Sequence, residues 1–158
     1  KNIMSENPAI TEIDLQNHGY NSFSDAVDNT IKNISIPSDI TCIYAGNNSF
    51  KSLDGISSFN NLQELYLNDN KLTYLSAVSD CNRLKTLVLS YNKIRDLSSL
   101  SSLTSLEYLD ISSNKNIKDI SVLYRLTHLK TLNISNTNVS QKEYRQLIKK
   151  LPACQIIY

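Results

Sequence analysis

Apolar residues recur through the middle of the chain in a fixed phrase. Leu62-Gln-Glu-Leu65-Tyr-Leu67-Asn-Asp-Asn70 is followed 22 residues later by Leu84-Lys-Thr-Leu87-Val-Leu89-Ser-Tyr-Asn92, and after another 22 by Leu106-Glu-Tyr-Leu109-Asp-Ile111-Ser-Ser-Asn114. Positions 1, 4 and 6 of each phrase are apolar and position 9 is asparagine. Alternation across the phrase predicts a short strand with positions 4 and 6 pointing inward and 3, 5 and 7 outward. Between phrases the apolar residues come every third place: Phe50, Leu53, Ile56 and Phe59, then Leu72, Leu75, Val78 and Cys81, then Ile94, Leu97, Leu100 and Leu103. That spacing suits a 3₁₀ or short helical segment returning along the other side.

The flanks vary the phrase. Ile40-Thr-Cys-Ile43-Tyr-Ala45-Gly-Asn-Asn48 is a first regular copy, and the copy at Leu106 carries one extra residue near Asn116, which displaces Ile117, Ile120, Leu123 and Leu126 by one. Upstream, Ile10-Thr-Glu-Ile13-Asp-Leu15 restates the strand with His18 on the inward-turning asparagine position, where a structural histidine is expected. Phe23, Ala26, Val27, Thr30, Ile31 and Ile34 then share one helical face, with Ser22 or Ser24 as N-cap. Downstream, Leu129, Leu132 and Ile134 repeat the strand with Thr137 in place of asparagine. Ser140-Gln-Lys-Glu143 forms a capping box, Tyr144, Leu147, Ile148 and Leu151 follow at helical spacing, and Leu151-Pro-Ala-Cys154-Gln-Ile156 predicts a closing strand with Cys154 inward.

The phrase LxxLxLxxN at this period is the leucine-rich repeat signature. The expected fold is an α/β right-handed solenoid with a parallel sheet on its concave face, 3₁₀ or helical segments on its convex face and helical caps at both ends. One domain is predicted over residues 1–158, divided into a loose lead-in (1–9), an N-terminal capping unit (10–39), repeats (40–139) and a C-terminal helical cap with the last strand (140–158). Asn48, Asn70, Asn92 and Asn114 are expected to bond backbone groups of their own and adjacent loops, as structural residues and not a site.

The segment Lys93-Ile-Arg-Asp-Leu-Ser-Ser-Leu, with Asp119-Ile-Ser-Val-Leu and Leu126-Thr-His-Leu-Lys-Thr-Leu-Asn-Ile-Ser, resembles the internalin-type bacterial leucine-rich repeats. It is also similar to the short-repeat class that contains the leucine-rich regulatory subunit of protein phosphatase-1. The resemblance covers about residues 40–139. It implies a protein-binding scaffold that engages its partner on the concave sheet, of an internalin-like or effector type; the alternative is a structural or regulatory segment of a larger chain, like a phosphatase-regulator scaffold. The N-terminal unit does not look like the internalin cap, and no immunoglobulin-like module or wall-anchoring motif follows, so cell-surface invasion is not carried over.

Composition narrows the classes further. The formal net charge of +1 advertises neither nucleic acid nor an anionic membrane, and no apolar run is long enough for membrane insertion. Glycine occurs only at positions 19, 46 and 55, so no phosphate-cradling loop can be written, and there is no HExxH or GxSxG motif. A non-catalytic monomer without cofactor or metal is expected. Cys42 is placed facing outward from its strand, Cys81 and Cys154 inward; as free thiols they favour a reducing bacterial or host cytosol, with a secreted or surface location as the alternative.

The outward positions are free of the repeat's interior demands and are where a site is sought. Position 5 reads Asp14, Tyr44, Tyr66, Val88, Asp110 and Asn133; position 3 reads Glu12, Cys42, Glu64, Thr86, Tyr108 and Thr131; position 8 adds Asn47, Asp69 and Tyr91. A partner protein is expected to contact Tyr44, Tyr66, Val88, Tyr108, Asp110, Tyr91, Glu64 and Asn133, with Asp69 and Glu107 adding acidic groups at the border. Tyrosines offer large, stiff contact area with a polar tip. The competing reading is that cross-strand aromatic pairs only support the sheet. Lys142, Arg145, Lys149 and Lys150 are expected on a solvated helix face, and His128 in a loop.

Overall fold

Every phrase folds as a three-residue strand, and the strands stack in chain order. The computed structural model describes residues 10–30 and 37–158; the lead-in 1–9 and Ile31 and Ile34 of the expected helix lie outside them. The strands are β1 (Glu12–Asp14), β2 (Cys42–Tyr44), β3 (Glu64–Tyr66), β4 (Thr86–Val88), β5 (Tyr108–Asp110), β6 (Thr131–Asn133) and β7 (Gln155–Ile157), which form one parallel sheet in the order β1 to β7. From β1 to β6 pairing joins equal motif positions: Ile43 faces Leu65, Leu65 faces Leu87, and Leu87 faces Leu109; β7 is shifted by two, with Ile156 rather than Cys154 facing Leu132. The return segments are 3₁₀ helices at Ile56–Ser58, Ser76–Asp80, Ser98–Ser102 and Ser121–Arg125. Asp96 and Asp119 start the last two by accepting the Ser98 and Ser121 N–H at 2.8 and 2.9 Å.

The repeat leucines and the residues spaced by three fill one continuous core between sheet and return segments. Ile117, Ile120, Leu123 and Leu126 are buried despite the extra residue before them, so the insertion is absorbed in the turn at Asn116 and does not reach the interior.

The position-9 asparagines tie one turn to the next. Asn70 Nδ2 donates to Ala45 O of the preceding turn (3.0 Å) and Leu67 O of its own (3.2 Å), while its Oδ1 accepts the Phe50 N–H (3.0 Å). Asn92 repeats this with Leu67 O (2.9 Å), Leu89 O (3.1 Å) and the Leu72 N–H (3.0 Å). Asn48 and Asn114 do likewise, reaching back to Leu15 O and Leu89 O and accepting from the Tyr20 and Ile94 N–H groups. No buried side-chain nitrogen or oxygen among the described residues lacks a partner. The ladder stops where asparagine does. Thr137 Oγ1 donates to Ile134 O (2.6 Å) and accepts the Val139 N–H (3.5 Å), both within its own turn, and side-chain links back from this turn are made at its surface by Asn136 to Ser113 Oγ and Asn138 to Lys115 O.

Helices lie near both ends. In α1 (Phe23–Thr30), Ser22 caps the first turn through Oγ to the Asp25 N–H at 3.3 Å, and Phe23 packs edge-on against Phe50 and Phe59 at 5.6 and 6.5 Å. In α2 (Gln141–Lys150) the capping box is complete: Ser140 Oγ accepts the Glu143 N–H and Glu143 Oε2 accepts the Ser140 N–H. Tyr144 stacks on Tyr158 at 4.4 Å, and the Tyr158 hydroxyl donates to Val139 O.

Three expectations for the flanks are corrected. Ile148 shares the helical face of Leu147 in sequence but is 45 % exposed, because α2 seats on the core chiefly through Leu147 with Tyr144 beside it. Ile10, at position 1 of the first phrase, is 55 % exposed, unlike the buried position-1 residues Ile40, Leu62, Leu84 and Leu106. His18 does not turn inward; it is exposed against Tyr20 at 5.4 Å, and the Asn48 amide of the following turn bonds Leu15 O and the Tyr20 N–H.

Replacing a mid-ladder amide tests this account. Asn92→Ala leaves the buried Leu67 and Leu89 carbonyls and the Leu72 N–H short of a partner, and is expected to lower unfolding free energy by about 3 kcal/mol in urea titration, against under about 0.5 kcal/mol for the exposed Ser102→Ala.

Candidate functional site

The register places the outward residues in two straight rows on the concave sheet. One runs Glu12, Cys42, Glu64, Thr86, Tyr108, Thr131 and Gln155; the other runs Asp14, Tyr44, Tyr66, Val88, Asp110, Asn133 and Ile157. Neighbours in a row sit one strand apart, about 4.8 Å.

Tyr44 and Tyr66 form the centre of the second row. Their rings stack at 5.0 Å with 15° between planes, both half-buried. The Tyr66 hydroxyl donates to Glu64 Oε1 at 3.0 Å, so the phenol and the carboxylate named from sequence are joined. Burial and that contact push the Tyr66 phenol up to about 12. Contact with the Cys42 thiol, with Glu12 and Glu64 nearby, likewise pushes Tyr44 up to about 12. Both rings therefore stay neutral through the neutral and mildly alkaline range.

Cys42 is corrected. Its strand position does face away from the core cluster, yet the residue is only 1 % exposed, lying between Glu12 and Glu64 in its row with Tyr44 two residues on along the same face. Burial pushes its thiol up, and pushes Cys81 in the core up to about 11. Cys154, expected inward at position 4, is half-exposed because the last strand lies two residues later than its phrase predicts: Gln155 pairs with Thr131 and Ile156 with Leu132, so Ile156 takes position 4 and Cys154 precedes the strand.

The remaining residues separate into those with a local duty and those without. Asp110 Oδ1 accepts the Ser112 N–H at 2.9 Å and Asn133 Oδ1 accepts the Ser135 N–H at 3.0 Å, as Asp14 does for Gln16. Each of these position-5 side chains holds the strand's exit turn with one oxygen. Glu107 does not border the tyrosines freely. It sits at position 2 and pairs with Lys130 at 2.8 Å, which holds its carboxyl below the usual range. Val88 and Tyr108 are half-buried with no side-chain hydrogen bond to explain them.

Position 8 carries a constraint that sequence spacing did not expose. Asn17, Asn47, Asp69, Tyr91, Ser113 and Asn136 all have φ between 54° and 63°, the left-handed region entered just before the ladder residue. Asparagine and aspartate tolerate that conformation best, so Asn47 and Asp69 have a backbone reason to be there. Tyr91 does not. It is a bulky residue at φ 55° with its side chain 61 % exposed.

Elsewhere, a groove of about 820 Å³ lies between the last two 3₁₀ segments beside Asn116, lined among others by Arg95, Asp96, Lys118, Asp119 and Arg125. Its two aspartates are the ones that start those segments. No group of three or more His, Cys, Asp or Glu among the described residues could hold a metal ion, and no described helix is long and apolar enough to cross a membrane. His128 is exposed, its Nδ1 against Thr104 O at 3.0 Å.

Two measurements test these assignments. Tyr91→Asn is expected to raise stability by about 1 kcal/mol, read as a higher urea midpoint, because it relieves the left-handed strain. With a thiol reagent under native conditions, Cys154 should label first and Cys42 should stay protected; Tyr44→Ala should open Cys42 to rapid labelling.

Sequence models describing leucine-rich repeats match residues 61–81 and, as two copies, 82–125. No curated protein sequence matches the chain. Among solved structures, an internalin (inlF) from Listeria monocytogenes superposes with a TM-score of 0.81 at 23 % identity, over 94 % of this chain and 41 % of that one. A leucine-rich repeat protein from Leptospira interrogans gives 0.69 at 27 % identity, over 77 % and 32 %, and an internalin C2 from Listeria monocytogenes gives 0.70 at 26 %, over 77 % and 52 %. The chain thus spans between a third and a half of the proteins it matches. The phrase, the parallel sheet and these likenesses agree: the chain is built of leucine-rich repeats, and their arrangement is similar to that of the internalins.

Proposed function

We propose that the chain is a non-catalytic recognition module that binds a partner protein on its concave sheet. The observation that carries this reading is the Tyr44–Tyr66 stack, continued by Val88 in the same row and flanked by Tyr108 and Tyr91. The core is closed beneath these residues and does not need their bulk. A ring stack of this kind contributes about 0.5–1.5 kcal/mol to the sheet, which small or β-branched residues at position 5 could largely replace. Stiff aromatics on a concave face lose little side-chain entropy when covered, which is why such residues dominate binding hot spots. Glu64, held by Tyr66, and Asp110 and Asn133, held by their exit turns, would present fixed acceptors around them. The units at 10–39 and 140–158, each with a helix, would serve as caps that shield the ends of this surface's core. Leucine-rich repeats generally mediate protein–protein contact, and the likeness to internalins supports the same use here.

The test is Tyr44→Ser with Tyr66→Ser. The double variant should keep a cooperative unfolding transition and lose affinity for captured protein partners by about tenfold or more, equivalent to about 1.4 kcal/mol. Undiminished capture by a folded double variant would show that the row is not the recognition surface.

A further inference from the structure

Charge on this molecule is sorted by face. At positions 3, 5, 7 and 8, the concave strands and their exit turns carry Glu12, Asp14, Glu64, Asp69 and Asp110, and no lysine, arginine or histidine. Of fifteen acids in the chain, five lie here, leaving ten elsewhere against all sixteen bases. The concave face is therefore formally −5 and the rest of the chain +6, although the whole is +1. The one ion pair among the described residues, Lys130–Glu107, stands at the rim at position 2, so none of the concave carboxylates is ion-paired among the described residues.

The stacked tyrosines lie inside this field. Asp14 is the register neighbour of Tyr44 in one row, and Glu12 and Glu64 flank Cys42 in the other. Glu64 uses one oxygen for the Tyr66 hydroxyl and keeps the other. An aromatic platform edged by carboxylates fits a cation, and the planar guanidinium fits it better than the compact ammonium, because it can stack on a ring and bond a carboxylate at once. Asp110 lies two strands across from Glu64 and two residues further along, about 12 Å away, a distance an extended chain covers in about three to four residues.

Building on the recognition reading above, we propose that the occupant of the concave sheet is a basic protein segment. It would lay one arginine on the Tyr44–Tyr66 stack against Glu64 and Asp14, and place a second base near Asp110. A field of one sign along a concave wall would also draw such a segment in, with a rate that falls as salt rises.

The experiment pans a random peptide display library on the immobilised full chain, then measures recovered peptides by fluorescence anisotropy. The proteins compared are the wild type, Tyr44→Ser/Tyr66→Ser and Glu64→Gln/Asp110→Asn. Expected are arginine-containing peptides with a second base about three or four residues away, bound about tenfold or more weakly by each double variant. Their affinity should also fall as salt rises from about 0.05 to about 0.5 M. Neutral or acidic peptides whose binding is lost only in the tyrosine variant would overturn the basic occupant and leave the concave recognition surface standing. Basic peptides held equally by all three proteins would overturn both. Recovery of no peptide would overturn the basic segment, and the tyrosine capture test decides the surface separately. Self-association in sedimentation, abolished by Lys149→Glu/Lys150→Glu on α2, would make the occupant a second copy and overturn the proposal.

Discussion

A three-residue strand cannot hold itself, and the buried asparagine amide is what lets such strands stand side by side. Each ladder amide has two donor hydrogens and an acceptor oxygen, and the structure uses both ends: the nitrogen closes carbonyls of two turns, the oxygen takes an N–H from the turn before. These backbone groups are sealed from water by the leucines around them, so an unpaired one would cost about 1–3 kcal/mol. The repeat is therefore cooperative in a specific sense. A turn can satisfy its interior only when its predecessor is in place. Where asparagine is missing the regular pattern ends as well: Thr137 is too short to reach back and a true helix follows, while exposed His18 precedes the non-repeat helix α1.

That constraint also limits where recognition can be written. Positions 1, 4, 6 and 9 belong to the interior, which leaves 3, 5, 7 and 8 on the concave side. The structure removes part of this freedom. Position 8 must enter left-handed backbone, and position 5 carries exit-turn acceptors wherever it is Asp or Asn. What remains unexplained by folding is a short set: Tyr44, Tyr66, Val88, Tyr108 and, against its own backbone preference, Tyr91. A surface selected for stability alone would fill the last of these with asparagine or glycine.

The solenoid, its strand register and the asparagine ladder were legible in the sequence because one period governs all of them, and a period of 22 fixes which residues become neighbours. The tyrosine row followed by arithmetic, Tyr44 and Tyr66 being one period apart. What spacing could not show depended on neighbours it does not encode. Cys42 faces the right way but is buried among its concave neighbours, Glu12 and Glu64 beside it in its row. Ile148 has the correct helical phase but no core residue opposite it, and Glu107 is occupied by Lys130 from the next turn. The left-handed run at position 8 did have a signal, the Asn, Asn, Asp, Asn bias across turns, which reads as variable only if Tyr91 and Ser113 are weighted equally with it.

A net charge near zero hides the sorting of charge because it averages two faces that no partner meets at once. The arrangement within the acidic face is itself informative. Among the two rows, carboxylates occur on β1, β3 and β5, and β2, β4 and β6 carry none. Acids on neighbouring strands would stand about 4.8 Å apart and repel at every pair, a destabilising contact in a parallel sheet. On alternate strands, acids of β1, β3 and β5 stand at least about 9.6 Å from those of the next acidic strand, close to the screening length of about 10 Å at 0.1 M salt, so repulsion between strands is weak while the face keeps one sign; Glu12 and Asp14, two residues apart on β1, are the closer pair at about 7 Å. Neutral residues between them, tyrosine and valine included, supply the apolar area that carboxylates lack. The sheet thus keeps acids off facing positions of neighbouring strands, and it places its charge where an approaching cation would find both a ring and an anion within reach.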